Sequence, residues 1–360
     1  MIQVFLGTKA QYIKTAPLLR LLDERGVPYR LIDSGQHGAL SVGLREELGV
    51  RPPDHLLAEG GDIDTIPQAL VWAAKLAVKL LDGRRLRREV FGGRTGVCVV
   101  HGDTPSTLLA ALMARRAGLR VAHLEAGLRS RHLLHPFPEE IIRRVVMRIS
   151  ALLFAPDDTA MANLARMRVR GEVVALPANT VVEALAHDLD DEGEPGTGPA
   201  LVTLHRVENL NRRERVEALV RTVERLAETR PVRFVLHGPT KDTLARRGWE
   251  RRLRAAGVEL VGLAPHGQFT RMLHDAPLVI TDGGSIQEER ALLGVPTLLW
   301  RAATERPDGV GANVVVSGYR PEVVRAFLAD PAAHRRPPAT DVLRPSEVVL
   351  DHLLAHEQAA

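Results

Sequence analysis

A single cysteine in 360 residues excludes an intrachain disulfide. Cys98 falls inside the β-branched run Val97 to Val100, where a thiol serves as a small apolar side chain and not as a nucleophile. Aromatic residues make up 4% of the chain, too few for a platform of stacked bases, and the 48 lysines and arginines are scattered without forming a basic tract. No nucleic-acid partner is therefore expected, and the net charge of +4 suits a small anionic ligand instead. No apolar run reaches the roughly 20 residues that a membrane span requires. MIQVFLGT opens as a strand, without the basic region and cleavage site of a secretory leader. A cytoplasmic protein with no membrane partner is the expectation. The 14 histidines contain no HExxH, the first glycine and lysine lack P-loop spacing, and no GxGxxG follows the first strand. Neither a metal site nor a nicotinamide cofactor is expected. No internal repeat with a period of about 20 to 50 residues is visible.

What is present is a folded composition, 45% apolar and 26% charged, in a chain long enough for two domains. Short buried-type strands at Ile2–Leu6, Tyr29–Asp33, Val97–Val100, Leu119–Leu124, Leu152–Ala155 and Val173–Leu176 alternate with helix-periodic segments. The alternation resumes at Ala200–Leu204 and runs through Pro231–Leu236, Val258–Val261, Leu278–Thr281, Thr297–Trp300 and Asn313–Val316. Two doubly wound α/β halves with parallel sheets follow from that pattern. Residues 1–172 with 346–360 are assigned to the first half and 173–345 to the second. Ile63 to Leu81 reads as a long amphipathic helix, and a single basic helix is expected between Pro231–Leu236 and Val258–Val261. Trp72 and Trp249 read as packing residues. Asp188 to Pro199, acidic and rich in Gly and Pro, reads as a linker near the junction.

The chemistry concentrates in Val97 to Glu140. One strand ends in His101-Gly102-Asp103-Thr104 and Pro105 opens a helix; a second strand delivers Glu125 before Ala126-Gly127; a Pro-rich loop then delivers Glu139 and Glu140 to the start of another helix. Ligands of open parallel sheets sit at the carboxyl ends of the strands, so Asp103 and Glu125 are expected to converge on one crevice. Carboxylates gathered in a partly dry cleft raise one another's pKa toward the range of a working acid or base. Asp103 equally reads as a helix cap, and Glu139 and Glu140 as acids complementing a helix dipole. Two turns are candidate anion seats, the first of which reads more readily as a plain βα turn. Gly7-Thr8-Lys9-Ala10-Gln11 joins a strand to a helix with a lysine nearby, and Gly283-Gly284-Ser285 precedes the helix carrying Gln287-Glu288-Glu289. His205 and Arg206 stand at another strand end, and Arg301 and Arg306 read either as phosphate contacts or as partners of Glu305.

The segments HGDT, HLEAGLRS, PFPEE, HRVEN, SIQEE and TERP, in this order and at these separations, resemble the non-hydrolysing UDP-N-acetylglucosamine 2-epimerase family. The resemblance covers nearly the whole chain. It implies the GT-B architecture, two Rossmann-like domains with the active site in the cleft between them, and a final helix, Pro345 to His356, that crosses back to the first domain. It also implies removal of the C2 proton while UDP leaves C1, a glycal intermediate, and re-addition of UDP with C2 inverted. Asp103, Glu125 and Glu139 would then move protons, with His205 steadying the departing diphosphate. The implied UDP-sugar contacts are Lys9, Lys14, Gln36, His37, Arg206, Phe269, Gly283, Gly284, Ser285, Glu289 and Arg301; Phe269 reads equally as packing on its own helix. No cofactor is implied, and a homodimer is expected. The chain departs from the family pattern at Lys9-Ala10-Gln11, where the family has Arg-Pro-Glu, and at Ala178, where it has glycine. Gly38-Ala39-Leu40 replaces charged residues that help bind a second, activating UDP-sugar, so that regulation is not expected here. The serine of the family's Ser-Gly-Gly stands behind the glycines, at Ser285. These departures keep open the hydrolytic reaction and transfer of the sugar to an acceptor. A sugar-nucleotide sensor without catalysis is a further alternative.

Overall fold

Continuously apolar strands are what a parallel sheet covered by helices on both faces requires, and the inner strands of this chain are buried almost throughout, with exposure confined mainly to the edge strands. In a computed structural model, described for residues 1–35, 38–57, 80, 82–130, 138–188, 196–304, 306–338 and 343–358, the chain divides into two compact units. Met1–Ala184 with Leu343–Ala360 form the first, and Leu185–Val342 the second.

The first unit runs β1 (Ile2–Leu6), α1 (Lys9–Glu24), β2 (Tyr29–Asp33), α2 (Gly38–Glu47), β3 (His55–Leu56), α3 (Gly83–Glu89), β4 (Val97–His101), α4 (Pro105–Arg116), β5 (Arg120–Leu124), α5 (Glu139–Ile149), β6 (Leu152–Ala155), α6 (Asp158–Met167), β7 (Glu172–Ala175) and α7 (Val181–Asp188). Its parallel sheet has the order β3-β2-β1-β4-β5-β6-β7, so the chain reverses its direction of travel across the sheet between β1 and β4. β7 pairs with β6, and α7 carries the boundary between the units. Residues 173–184, placed in the second half by the sequence reading, therefore stand with the first, because their strand completes the first sheet.

The second unit runs β8 (Ala200–Leu204), α8 (Val207–Leu210), α9 (Arg213–Ala227), β9 (Val232–Leu236), α10 (Gly238–Arg246), α11 (Trp249–Ala255), β10 (Glu259–Val261), α12 (His266–Asp275), β11 (Val279–Thr281), α13 (Gly284–Leu292), β12 (Thr297–Leu299), β13 (Val314–Val316) and α14 (Pro321–Ala329). Its sheet has the order β10-β9-β8-β11-β12-β13, again parallel, with the reversal between β8 and β11. The single basic helix expected after β9 is two helices. Gly248, at φ 70, takes the left-handed conformation that ends one helix and lets the chain turn into the next. Trp249 opens α11 at 4% exposure within the core of this unit.

After the second unit the chain forms α15 (Pro345–Gln358), which belongs to the first. Val349, Leu350 and Leu353 pack into the cluster built from Leu18, Leu19 and Leu22 of α1. Cys98 is buried in β4, where desolvation pushes its thiol up to about 12. Among the described residues no helix is long and apolar enough to cross a membrane. The helix expected at Ile63–Leu81, with Trp72, lies outside the described residues, as does most of the acidic linker.

Candidate active site

The first unit gathers its charged groups at the carboxyl ends of β1, β4 and β5. Thr8 caps α1 and Thr104 caps α4, each accepting from the backbone N–H three residues on, and Pro105 fills the first position of α4. Thr104, not Asp103, is thus the capping residue, and the Asp103 carboxylate is left for other work. It pairs with Arg143 Nη2 at 2.5 Å. Arg143 lies one turn into α5, and its other terminal nitrogen is 3.7 Å from Glu140. Glu140, fully buried, also receives Arg129 Nε at 2.5 Å and the Ser130 backbone N–H at 3.0 Å. Burial by itself pushes the Glu140 carboxyl up; the Ser130 and Arg129 hydrogen bonds outweigh it and hold the group below the usual carboxylate range. Glu139, beside it, has its Oε2 buried with no hydrogen-bond partner among the described residues.

Glu125 follows β5 in the left-handed conformation at φ 61, a position that costs a non-glycine residue about 1 kcal/mol or more. Its carboxylate is almost fully enclosed, 2.8 Å from Lys14 Nζ and 3.6 Å from His101 Nε2. Burial lowers the pKa of His123, so its ring is neutral near pH 7. Gly102 O can only accept, so the one ring proton sits on Nε2 and is donated to it at 2.7 Å. The turn that carries Asp103 is therefore held from the β5 side.

In the second unit His205 follows β8 and Asp282 follows β11. The Asp282 carboxylate, fully buried, accepts from the backbone N–H groups of His205 and Arg206 and from Asn209 Nδ2. His205 Nδ1 lies 3.2 Å from Asp282 Oδ1, out of line for a hydrogen bond, and the His205 and His237 rings lie 5.0 Å apart between centroids. Desolvation lowers the His205 pKa, and Arg206 and Arg301 add to that against the opposing pull of Asp282. The nine-residue helix α13 begins at Gly283 with no side-chain cap. A Cβ on Gly284 would come within 3.1 Å of Arg306 Nε and 3.8 Å of Arg206 Nη2, so two guanidinium groups border this helix start. Arg306 is anchored by Glu288 at 2.8 Å, and Ser285 is exposed in the first turn.

Of the residues singled out in the sequence, Asp103, Glu125, Glu139 and Lys14 share the strand-end face of the first sheet, with Lys9 exposed in the first turn of α1. Lys14 meets Glu125 directly. His205, Arg206, Gly283, Gly284 and Ser285 share the strand-end face of the second sheet. Arg301, buried, has Nε 3.8 Å from Glu208, while Glu289 is buried on α13. Phe269, partly buried, packs against the apolar cluster of its own unit. Gln36, His37 and Glu305 lie outside the described residues. Sequence reasoning passed over Gln11, His101, His123, Asn209 and Asp282. Asp282 carried a signal, since it directly follows a strand and precedes paired glycines; the others gain their partners only from pairing between distant strands.

Two doubly wound parallel units with charged turns at their strand ends define an α/β enzyme of the GT-B class. The family model for UDP-N-acetylglucosamine 2-epimerase matches residues 20–337. The UDP-N-acetylglucosamine 2-epimerases of Methanocaldococcus jannaschii and Bacillus subtilis are each 29% identical to this chain. The former covers 90% of both chains, and the latter 93% of this chain and 89% of its own. Among solved structures, the M. jannaschii UDP-GlcNAc 2-epimerase in complex with UDP-GlcNAc and UDP superposes with a TM-score of 0.81 at 26% identity, covering 98% of this chain and 99% of its own. The Neisseria meningitidis UDP-GlcNAc 2-epimerase shares the fold, with a TM-score of 0.82 at 24% identity over 98% of this chain and 99% of its own. The chain belongs to the UDP-N-acetylglucosamine 2-epimerase family.

Proposed function

We propose that this chain inverts C2 of UDP-N-acetylglucosamine by eliminating and re-adding UDP. A carboxylate of the first unit takes the C2 proton. The C–H electron pair becomes the C1=C2 bond of a glycal as the C1–O bond breaks, and UDP departs with that bond's electrons. A second carboxyl group then delivers a proton to the opposite face of C2, and the UDP oxygen closes on C1. Atoms and electrons balance without a co-reactant. Asp103 and Glu125, paired with Arg143 and Lys14, are assigned to proton transfer and to the positive charge that develops at C1. Glu139, outside those ion pairs, is assigned as the proton carrier for the other face.

The second unit is assigned the UDP moiety. Free N–H groups at the start of α13, Arg206 and Arg306 provide positive potential for a diphosphate, and glycine at 284 leaves room for it. His205, neutral near pH 7, offers one N–H to the departing oxygen. Glu289 is assigned to the ribose hydroxyls, and Lys9 and Arg301 to the diphosphate.

The observation that carries this reading is the enclosed Lys14–Glu125 pair, set by a strained backbone at the same strand-end face as Asp103. It is tested by incubating the protein with UDP-N-acetylglucosamine in deuterated water and following the sugar by NMR. Deuterium at C2 of a UDP-N-acetylmannosamine product is expected. Deuterated free N-acetylmannosamine with UDP would replace the reading with the hydrolytic reaction, and no exchange at all would overturn it.

A further inference from the structure

Gln11 joins both turns flanking the reversal of the first sheet. β1 and β4 pair in parallel with Gln3 opposite Cys98, a register that brings their ends level at Leu6 and His101. The turn after β1 carries Gly7, Thr8 and Lys9; the turn after β4 carries Asp103. Gln11, at 3% exposure, lies between them. Its Oε1 accepts from Gly7 N at 2.7 Å and Thr8 N at 3.1 Å. Its Nε2 faces His101 O at 2.8 Å, Thr104 Oγ1 at 3.0 Å and Thr107 Oγ1 at 2.8 Å.

We propose that Gln11 is a positioning residue for Asp103, its amide fixing the His101–Thr104 turn to the Gly7–Lys9 turn across the sheet's reversal point. The catalytic part of this proposal rests on the epimerase reading. The chemistry singles out an amide. The Gly7 and Thr8 N–H groups need an acceptor, and His101 O, which accepts from Thr107 Oγ1 at 2.7 Å, has a second lone pair for a donor from the β1 side; a primary amide supplies both on one rigid plane. A carboxylate, which the resembling family carries here, serves the first turn but donates nothing to His101 O. A thioether of similar length serves neither. Asp103 sits between His101 and Thr104, two of the three residues that Nε2 faces, so these bonds help fix the turn from which its carboxylate reaches Arg143. On the far side His123 holds the same turn through Gly102 O, and Arg143 pairs with the Asp103 carboxylate itself.

The test compares wild type with Gln11→Met and Gln11→Glu. Steady-state kinetics of UDP-N-acetylglucosamine epimerisation and calorimetric UDP titration are combined with amide hydrogen exchange in peptides covering residues 7–11 and 101–107. A misplacement of about 1 Å in a reacting group costs on the order of a hundredfold in rate. Gln11→Met is therefore expected to lower kcat about tenfold to a hundredfold, with UDP affinity retained and exchange faster in both peptides. Gln11→Glu should keep protection in 7–11, lose it in 101–107, and show an intermediate kcat. Should Gln11→Met fail to fold, Gln11→Glu carries both readouts. Wild-type kcat with unchanged exchange in 101–107 overturns the proposal, and so does a lowered kcat with that exchange unchanged. If the wild-type protein shows no epimerisation, the epimerase reading fails, and the exchange in 101–107 alone decides whether Gln11 holds the turn.

Discussion

Glu125 is paired with Lys14 and Asp103 with Arg143, and removing either carboxylate separates chemistry from binding. Glu125→Gln and Asp103→Asn are each expected to lower turnover by about a hundredfold to ten-thousandfold while leaving UDP binding intact, as measured by steady-state kinetics beside calorimetric titration. A variant retaining more than about a tenth of wild-type turnover would remove that residue from the proton-transfer set. His123 gives a pH signature. Its folded-state pKa lies below the ordinary 6.5 because it is buried, so between those two values the unfolded chain binds a proton that the native ring does not. Stability is then fully present above pH 6.5 and declines as pH falls toward the folded value. His205 and Glu140, both with lowered pKa values, add in the same direction, Glu140 only below its ordinary 4.5. His123→Gln, which preserves a donor for Gly102 O, is expected to flatten the fall of Tm between pH 7 and 5.5, followed by circular dichroism. The carboxylates were legible in sequence because strand ends announce themselves by β-branched runs stopping at glycine. Gln11 was not, because its meaning depends on Cys98 lying opposite Gln3. Lys14 was legible as a charge but not as the partner of Glu125, 111 residues away.

At the scale of elements, most strands and helices follow directly from periodicity, and the departures have local causes. Gly248 divides what reads as one basic helix, since periodicity does not reveal a single left-handed residue. The glycine of HLEAG has a packing reason as well as a conformational one. Gly127 sits at φ 97, and a Cβ there would meet the Ala160 backbone oxygen at 2.5 Å. Gly127→Ala is expected to destabilise by about 1–3 kcal/mol, read from urea unfolding midpoints. Helix α13 holds the opposite case. Arg290 is fully buried, with none of its three guanidinium nitrogens hydrogen-bonded among the described residues and Glu289 at 4.0 Å. Desolvation brings its pKa down to about 10. Exchanging a poorly compensated buried charge for an apolar side chain of similar length generally stabilises, so Arg290→Met is expected to raise the unfolding free energy by about 1–4 kcal/mol. A lower midpoint for that variant would show that the guanidinium is compensated in the folded protein.

Over the whole molecule, the two-unit plan was legible in the repeated alternation of strand and helix, whereas the exact division was not. A strand's periodicity does not say which sheet it joins, and β7 joins the first. The return of α15 to the first unit places Leu350 and Leu353 against α1. Leu350→Ala is expected to cost about 2–5 kcal/mol and to lower the calorimetric transition of the first unit while leaving that of the second in place.

The same return constrains how the protein is made. During synthesis the surface of Leu18 and Leu19 emerges with the first residues, yet the helix that covers it is encoded after the entire second unit. The second unit is continuous in sequence and free to fold as it leaves the ribosome. The first must wait, its α1 face open, until the last helix arrives.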